Sequence, residues 1–332
     1  MKQIRLRLFF LIVCFLVLEG LLRIVGFGSY KKKGMLWSEI NVQVDSLLGY
    51  SSLQGILKYT LNNKEIIETN YADRSRKTGT LGYKKHFKRI HLYGCSFVHG
   101  YGITDSLSYP YLLQQLRPND EVKNFGISGH GLLQFYLLLN ANIEQGNIPD
   151  IAIIHYASFH NNRSINSLSK RINMERYSHN KAKLDSINFP YARLNKSNNL
   201  VIYYQKHQKY TETPFIEYSA IVNQINNIII GIKDYSINKS ELAINKKIMD
   251  LIIERCNKNN IKLIVASIID DSITKEMLVY CQQKQIQTID ISMDMNNPKY
   301  RLSPTDRHPN ELTCSIYSQK IDSLLNEIQV TQ

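Results

Sequence analysis

The most informative segment of the sequence is Arg89-Ile-His-Leu-Tyr-Gly-Cys-Ser-Phe-Val-His-Gly100. Its short apolar run predicts a strand that ends at Gly94, and a helical pattern follows at about 106–117. Ser96 therefore lies on a tight turn between strand and helix, at the carboxyl end of the strand. Open α/β sheets place their chemistry at that edge. Ser96 is thus a candidate nucleophile, and capping of a helix is its alternative role.

A regular alternation of strands and helices continues to the C-terminus. We predict strands at 90–94, 122–126, 151–156, 261–269 and 285–291. We predict helices at about 106–117, 131–144, 240–258, 273–284 and 311–328, with Asn238 and Glu241 as a capping box for the third. Such alternation implies right-handed βαβ units and a mostly parallel sheet with helices on both faces. The predicted class is a three-layer α/β/α domain.

Composition restricts the partners and cofactors. The 332 residues are 43% hydrophobic and 21% charged, which is typical of a globular protein. The net charge of +13 permits a polyanionic partner, but the lysines are scattered and no nucleic-acid motif occurs, so we predict no nucleic-acid binding. The five cysteines are irregularly spaced and form no Cys-x-x-Cys pair, so we predict neither a disulfide framework nor a metal site.

The N-terminus has the pattern of a targeting segment. Lys2, Arg5 and Arg7 precede an apolar run at 8–18, which Glu19 and Arg23 interrupt. A helix over 8–27 would hold about 20 residues, just enough to cross a bilayer. No cleavage site of small residues follows, so we predict an uncleaved transmembrane signal anchor within 1–33, with a cleaved signal peptide as the alternative.

The remaining chain divides into an extension and a main domain. We predict that 34–88 packs on the main domain, which occupies 89–332. A long insertion at about 164–235 is rich in Asn, Lys, Ser and Tyr and has helical patches near 216–232. We interpret it as a lid or subdomain over the strand ends, because structureless loops of this length are uncommon in compact domains.

Four polar segments follow the ends of predicted strands or precede the last helix. They are Gly94-Cys-Ser96, Asn124-Phe-Gly-Ile-Ser-Gly-His-Gly131, Ser158-Phe-His-Asn-Asn-Arg163 and Ser303-Pro-Thr-Asp-Arg-His-Pro-Asn310. One edge of a parallel sheet can bring them together. We predict that Ser96 is the nucleophile, that His308 is its base, and that Asp306 orients the imidazole. The remaining histidines, among them His99, His130, His155 and His160, are interpreted as core or cleft residues.

A developing oxyanion would need hydrogen-bond donors at the same edge. We predict the backbone amides of Ser96 and Gly126, together with the Asn161 side chain. One such donor is typically worth about 3 kcal/mol.

These segments resemble the blocks of the SGNH (GDSL-type) hydrolases. The first block corresponds to Gly94-Cys-Ser-Phe-Val-His-Gly100, with Cys95 where the family name has Asp, and the second to Asn124-Phe-Gly126. The last corresponds to Asp306-Arg-His308-Pro-Asn, with one residue between Asp and His instead of the commoner two. The family's third block, Gly-x-Asn-Asp, corresponds to Phe159-His-Asn-Asn-Arg163 without the glycine; Asn161 is the best match, and His160 or Asn162 are alternatives.

The resemblance covers roughly residue 89 to the C-terminus and has several implications. It implies a flavodoxin-like, doubly wound sheet of about five strands and no metal or organic cofactor. The N-terminal segment is similar to that of membrane-tethered bacterial members. The expected location is therefore the bacterial cell envelope, with the helix in the inner membrane and the catalytic domain outside the cytoplasm, or secretion if the N-terminus is cleaved.

Three functions fit these residues. The first is a serine esterase that removes acetyl or other short acyl groups, and the resemblance implies an acylated envelope or secreted glycan as its substrate. The second is an O-acyltransferase that uses the same triad on a sugar hydroxyl. The third is a non-catalytic glycan-binding or assembly protein that keeps the fold. A Ser–His pair within hydrogen-bonding distance would favour the two enzymes over the third.

Overall fold

The computed structural model describes residues 2–30, 41–79, 88–178, 180–238 and 240–330. In chain order its helices are α1 (Lys2–Ile24), α2 (Ser96–His99), α3 (Tyr109–Leu116), α4 (Leu132–Glu144), α5 (His160–Ser164), α6 (Leu168–Tyr177), α7 (Lys181–Ser186), α8 (Ala220–Asn238), α9 (Glu241–Lys258), α10 (Ser272–Gln283) and α11 (Glu311–Val330). Its strands are β1 (Val42–Asp45), β2 (Gly49–Ser52), β3 (Gly55–Leu61), β4 (Lys64–Asn70), β5 (Arg89–Gly94), β6 (Glu121–Gly126), β7 (Ile151–Tyr156), β8 (Asn188–Leu194), β9 (Leu200–Lys206), β10 (Lys262–Ser267), β11 (Gln287–Asp290), β12 (Arg301–Ser303) and β13 (Asp306–Pro309).

Contacts divide the chain into two compact units. The larger unit holds 39–166, 186–206 and 240–332, and the smaller unit holds 1–38, 167–185 and 207–239. The part of the predicted N-terminal segment at 31–33 lies outside the described residues, as do 34–40 and 80–87 of the predicted extension.

A five-stranded sheet forms the centre of the larger unit. Its spatial order is β11-β10-β7-β5-β6, and every neighbouring pair is parallel. Numbered along the chain, this is the doubly wound order 2-1-3-4-5 of flavodoxin-like sheets. The predicted fold class of the main domain is therefore confirmed. The strand order reverses between β5 and β7, so a crevice is expected outside their carboxyl ends.

Helices cover both faces of this sheet. On one face α3 contacts β6 and α11, and on the other α4 and α9 contact each other and reach β5 and β10. The strands between them are apolar on both sides, and β7 is buried along its whole length. Burial of both faces explains why these strands read as short continuous apolar runs in the sequence.

The predicted extension forms two antiparallel hairpins in the larger unit. β1 pairs with β2, and β3 pairs with β4. The Tyr50 hydroxyl of β2 donates to the carbonyl of Ser128, and the Glu68 carboxylate of β4 hydrogen-bonds His99 of α2. This extension therefore contacts the loops that follow β5 and β6.

His155 connects two layers of the fold from within β7. Its Nδ1 lies 3.0 Å from the Tyr93 carbonyl and therefore donates to it, and its Nε2 accepts from the Tyr109 hydroxyl. Both ring nitrogens are thus used by the neutral imidazole. Burial lowers the pKa of His155 to about 4.

We expect acidification to destabilise the fold through this residue. Between pH 6.5 and 4 the unfolded chain binds a proton at His155 that the native state does not, so stability falls as the pH decreases. At pH 5 the free energy of unfolding should be about 2 kcal/mol lower than at pH 7 because of this residue. Urea unfolding at pH 7 and pH 5 measures it, and His155→Gln should show a correspondingly smaller pH dependence. An equal pH dependence in the two proteins would contradict this account.

The smaller unit is organised around a contact between α1 and α8. The Glu19 carboxylate accepts from the Ser219 hydroxyl at 2.8 Å and from the amides of Ala220 and Ile221 at 2.8 and 3.1 Å. Arg23 pairs with the same carboxylate at 2.8 Å. The Ala220 amide, more than any other group, lowers the pKa of Glu19 to about 2. Glu19 therefore caps the first turn of α8, whose free amides attract negative charge.

Among the described residues, no helix combines the length and the apolar character that crossing a bilayer requires. The predicted transmembrane helix is therefore not found, although its residues do form α1. Charged side chains at Arg7, Glu19 and Arg23 divide that helix into shorter apolar pieces.

The predicted insertion has secondary structure of its own. β8 and β9 form an antiparallel hairpin in the larger unit, and α6, most of α7 and α8 belong to the smaller unit. Its role as a lid stays a prediction. The predicted capping box is wrong, because α8 extends to Asn238 and Ser240 is the residue that precedes α9.

Candidate active site

Ser96 occupies the turn that the sequence indicates. β5 ends at Gly94, and Ser96 is the first residue of the four-residue helix α2. A Cβ on Gly94 would lie 2.2 Å from Val98 Cγ2, so only glycine allows the chain to turn this tightly. The residue before the helix, Cys95, makes no side-chain capping bond, and the Ser96 hydroxyl instead faces His308.

His308 and Asp306 lie on one short strand beside this turn. His308 Nε2 is 2.9 Å from Ser96 Oγ, and His308 Nδ1 is 2.6 Å from Asp306 Oδ1. Alternate side chains of a strand point to the same face, so Asp306 and His308 in β13 both face Ser96 while Arg307 points away. The one-residue spacing is therefore compatible with a Ser–His–Asp arrangement.

The environment of this arrangement favours a charged carboxylate. Burial would raise the pKa of Asp306. The hydrogen bond from the His308 ring, the charge of His308 and the hydrogen bond from the His308 backbone amide outweigh burial, so the pKa of Asp306 is lower than its ordinary value. The imidazole lies against aromatic rings, with centroid distances of 4.6 Å to Tyr101 and 5.7 Å to Phe97. The carboxylate can thus orient the ring and stabilise an imidazolium.

A buried network holds the backbone that follows Ser96. Arg76 is 1% exposed and pairs with Asp105 at 2.9 Å, while its other nitrogens donate to the carbonyls of His99, Gly100 and Ile103. Arg76 could not be predicted from the sequence, because nothing in a sequence shows which distant carbonyls an arginine will reach. By holding these carbonyls, Arg76 fixes the end of α2 and so the position of Ser96.

Gly126 serves packing in this structure. A Cβ there would lie 2.3 Å from the backbone nitrogen of His99, so α2 approaches β6 too closely for any side chain. Its amide donates to Asn124 Oδ1 at 2.9 Å and its carbonyl hydrogen-bonds His99 Nδ1 at 3.0 Å. Because its amide already has an acceptor, the structure gives no support to Gly126 as an oxyanion donor.

Gly129 offers an amide in the same loop. Its φ of 79° lies in the left-handed region, where glycine is favoured. The amides of Gly129 and Ser96 have no hydrogen-bond acceptor within the described ranges. Gly129 was not among the predicted oxyanion donors, and its place in a turn soon after β6 is the feature that could have identified it.

The third block lies on α5, immediately after the β7 end. The Asn161 side chain is fully buried, and its Oδ1 accepts from the Tyr156 hydroxyl at 2.6 Å. Its carbonyl accepts from Asn245 of α9 at 3.3 Å, and its Nδ2 has no partner among the residues that the structure describes. The side chain is thus bonded to β7 and the backbone to α9, and neither bond joins Asn161 to Ser96 or His308.

His160 and Asn162, the two alternatives for this block, also lie on α5. His160 is fully buried, and burial keeps its pKa well below the ordinary value, so its ring is neutral. Its Nδ1 accepts from the Ala157 amide at 3.2 Å. Asn162 is half-buried on the same helix. The contacts of His160 and Asn162 do not include Ser96, so a side-chain donor from residues 160–162 stays a prediction.

Comparison with known proteins finds no matching family model and no matching curated protein. Among solved structures, the chain is similar to a lipolytic protein of the G-D-S-L family from Desulfitobacterium hafniense DCB-2, with 14% identity over 71% of this chain and 98% of that one, and a TM-score of 0.41. It is similar to the psychrotrophic esterase EstA from Pseudoalteromonas sp., with 12% identity, coverage of 72% and 98%, and a TM-score of 0.43. It is also similar to a family two carbohydrate esterase from Clostridium thermocellum, with 9% identity over 75% of this chain and 67% of that one, and a TM-score of 0.40.

The solved structures that this chain resembles thus include GDSL-type proteins and ester hydrolases by their descriptions. Their identities and TM-scores are low.

Proposed function

We propose that this protein is a serine esterase of the SGNH type, with Ser96 as nucleophile, His308 as general base and Asp306 as the residue that orients the base. The observation that carries the proposal is the continuous hydrogen-bond chain from Ser96 Oγ through the His308 ring to the Asp306 carboxylate. A serine hydroxyl is a weak nucleophile at neutral pH, and it reacts when an adjacent base removes its proton.

The geometry supports a two-step reaction. Ser96 Oγ attacks the ester carbonyl as its proton passes to His308 Nε2, and the imidazolium then protonates the departing alkoxide. Water, deprotonated by the same nitrogen, releases the acyl group from Ser96. The unoccupied amides of Ser96 and Gly129 are our proposed donors to the oxyanion of each tetrahedral intermediate.

We also propose the substrate and the location. The substrate is acetyl or another short acyl group on an envelope or secreted glycan, and the protein lies outside the cytoplasm. Both proposals rest on the resemblance of the sequence to the SGNH hydrolases. The Ser96–His308 distance of 2.9 Å favours an enzyme over a non-catalytic binding protein.

Covalent labelling tests the nucleophile directly. Diisopropyl fluorophosphate should modify the wild-type protein once, on the peptide that contains Ser96, and should abolish hydrolysis of 4-nitrophenyl acetate in parallel. Ser106→Ala is the matched control, because Ser106 is an exposed serine a few residues further along, and it should label normally. Hydrolysis that persists in fully labelled protein, or a label elsewhere that accounts for the loss, would overturn the assignment.

A further inference from the structure

Arg163 lies at the same edge of the sheet as the candidate nucleophile. It belongs to α5, which begins after β7, and Ser96 follows β5. β5 and β7 are neighbours, and the strand order reverses between them. In open α/β sheets this position is where ligands bind.

A line of aromatic rings leads from Ser96 to Arg163. The ring of Phe97, the residue after the nucleophile, lies 5.7 Å from the His308 ring and 6.2 Å from the Phe159 ring. The Arg163 guanidinium lies over the Phe159 ring, with its Cζ 4.4 Å from the centroid. Stacking of this kind holds a guanidinium in place while leaving its edge free to donate.

The hydrogen bonds of Arg163 leave most of its donors unused. One nitrogen donates to the His130 carbonyl at 3.0 Å. A guanidinium has five N–H donors, and the half-buried Arg163 forms no ion pair with a carboxylate among the described residues. Several buried or half-buried arginines pair with a carboxylate, among them Arg74 with Asp45, Arg76 with Asp105, Arg117 with Asp120 and Arg176 with Glu212, whereas Arg163 is held by a carbonyl and an aromatic ring.

Tyr50 connects Arg163 to the loop that carries Gly129. It is buried, and its hydroxyl donates to the Ser128 carbonyl, next to Gly129. Its ring centroid lies 4.9 Å from that of His130, and the His130 carbonyl accepts from Arg163. Arg163 is therefore held against the loop whose Gly129 amide is a proposed oxyanion donor.

We propose that Arg163 recognises a negatively charged group, a carboxylate or a phosphate, on the ester that Ser96 attacks. This inference rests on the proposed esterase function and narrows its substrate class to anionic esters. A half-buried guanidinium without a carboxylate partner is suited to bind such a group through charge-assisted hydrogen bonds.

Matched ester pairs test the inference. The first pair places the charge on the acyl part: mono-4-nitrophenyl succinate against its methyl ester. The second places it on the alcohol part: 3-acetoxybenzoate against methyl 3-acetoxybenzoate. In at least one pair we expect the wild-type kcat/KM to favour the anion about ten- to a hundredfold. Inhibition by benzoate and by phenyl phosphate then distinguishes carboxylate from phosphate recognition.

Substitution assigns that preference to Arg163. Arg163→Gln should bring the ratio of anionic to neutral kcat/KM close to one, and Arg163→Lys should retain part of it. Arg89→Gln is the matched control, since Arg89 begins β5 at the opposite edge of the sheet, and it should keep the wild-type ratio. This control removes the same charge and so corrects for the long-range field of a protein with net charge +13.

Two results would overturn the inference and leave the esterase proposal standing. One is equal hydrolysis of charged and neutral esters by the wild-type protein. The other is an anion preference that Arg163→Gln retains while its melting temperature falls, which would mean that Arg163 only fastens α5 to the His130 loop. Failure to hydrolyse any of the four esters would instead count against the esterase function itself.

Discussion

Replacing Ser96 with alanine should lower kcat/KM for 4-nitrophenyl acetate by about 10⁴- to 10⁶-fold. In the proposed mechanism the hydroxyl forms the acyl-enzyme, and removing it leaves only the hydrogen-bond donors and the binding contacts to accelerate hydrolysis by water. The fold should persist, because Ser96 Oγ contacts His308 and caps no helix.

Initial rates over a range of ester concentrations measure this loss, and circular dichroism checks the fold. Ser106→Ala should match the wild type within error. A Ser96→Ala protein that keeps more than a tenth of the activity would show that another group attacks the ester.

Asp306→Asn should lower kcat by up to about 10⁴-fold at neutral pH. An asparagine amide can donate to His308 Nδ1, which stabilises the tautomer that carries its proton on Nε2. That nitrogen then cannot accept the proton of Ser96, although the three side chains remain in place. The loss should appear in kcat more than in KM, because Asp306 does not contact the position that the ester would occupy.

Asp270→Asn is the matched control for this change. Asp270 follows β10 at the same edge of the sheet, but it is exposed and pairs with Lys275. It should hydrolyse 4-nitrophenyl acetate at the wild-type rate. Activity within tenfold of wild type in Asp306→Asn would mean that the carboxylate does not set the tautomer of His308.

The sheet was predictable because its strands are buried on both faces. Each strand is a short apolar run between polar turns, and the helices between them have the expected period, so the observed bounds differ from the predicted ones by a few residues. The longest predicted strand, at 261–269, shortens to Lys262–Ser267. Ile261 and Ile268 are buried just outside the ends of this strand. A sequence pattern shows that such residues are apolar, but it does not distinguish burial from hydrogen-bonded strand pairing.

The site was predictable in its residues and less so in its hydrogen bonds. Ser96, His308 and Asp306 come together because the topology brings β5 and the last loop to one edge. The direction of a backbone amide could not be predicted in the same way. The Gly126 N–H, for example, donates to the Asn124 side chain, two residues earlier. Asn161 likewise finds partners in Tyr156 and Asn245, and the sequence contains no information about that choice.

Asp306 and His308 lie on one strand, and this restricts where the region can gain or lose a residue. Asp306 and His308 share a face of β13 because their separation is an even number of positions. An insertion or deletion of one residue between them would turn the carboxylate to the opposite side, as long as the segment stays extended. Changes in the turn that joins β12 to β13 carry no such penalty. The length of that turn can therefore change without altering which face Asp306 and His308 share, whereas the strand after it is constrained to an even separation of the two residues.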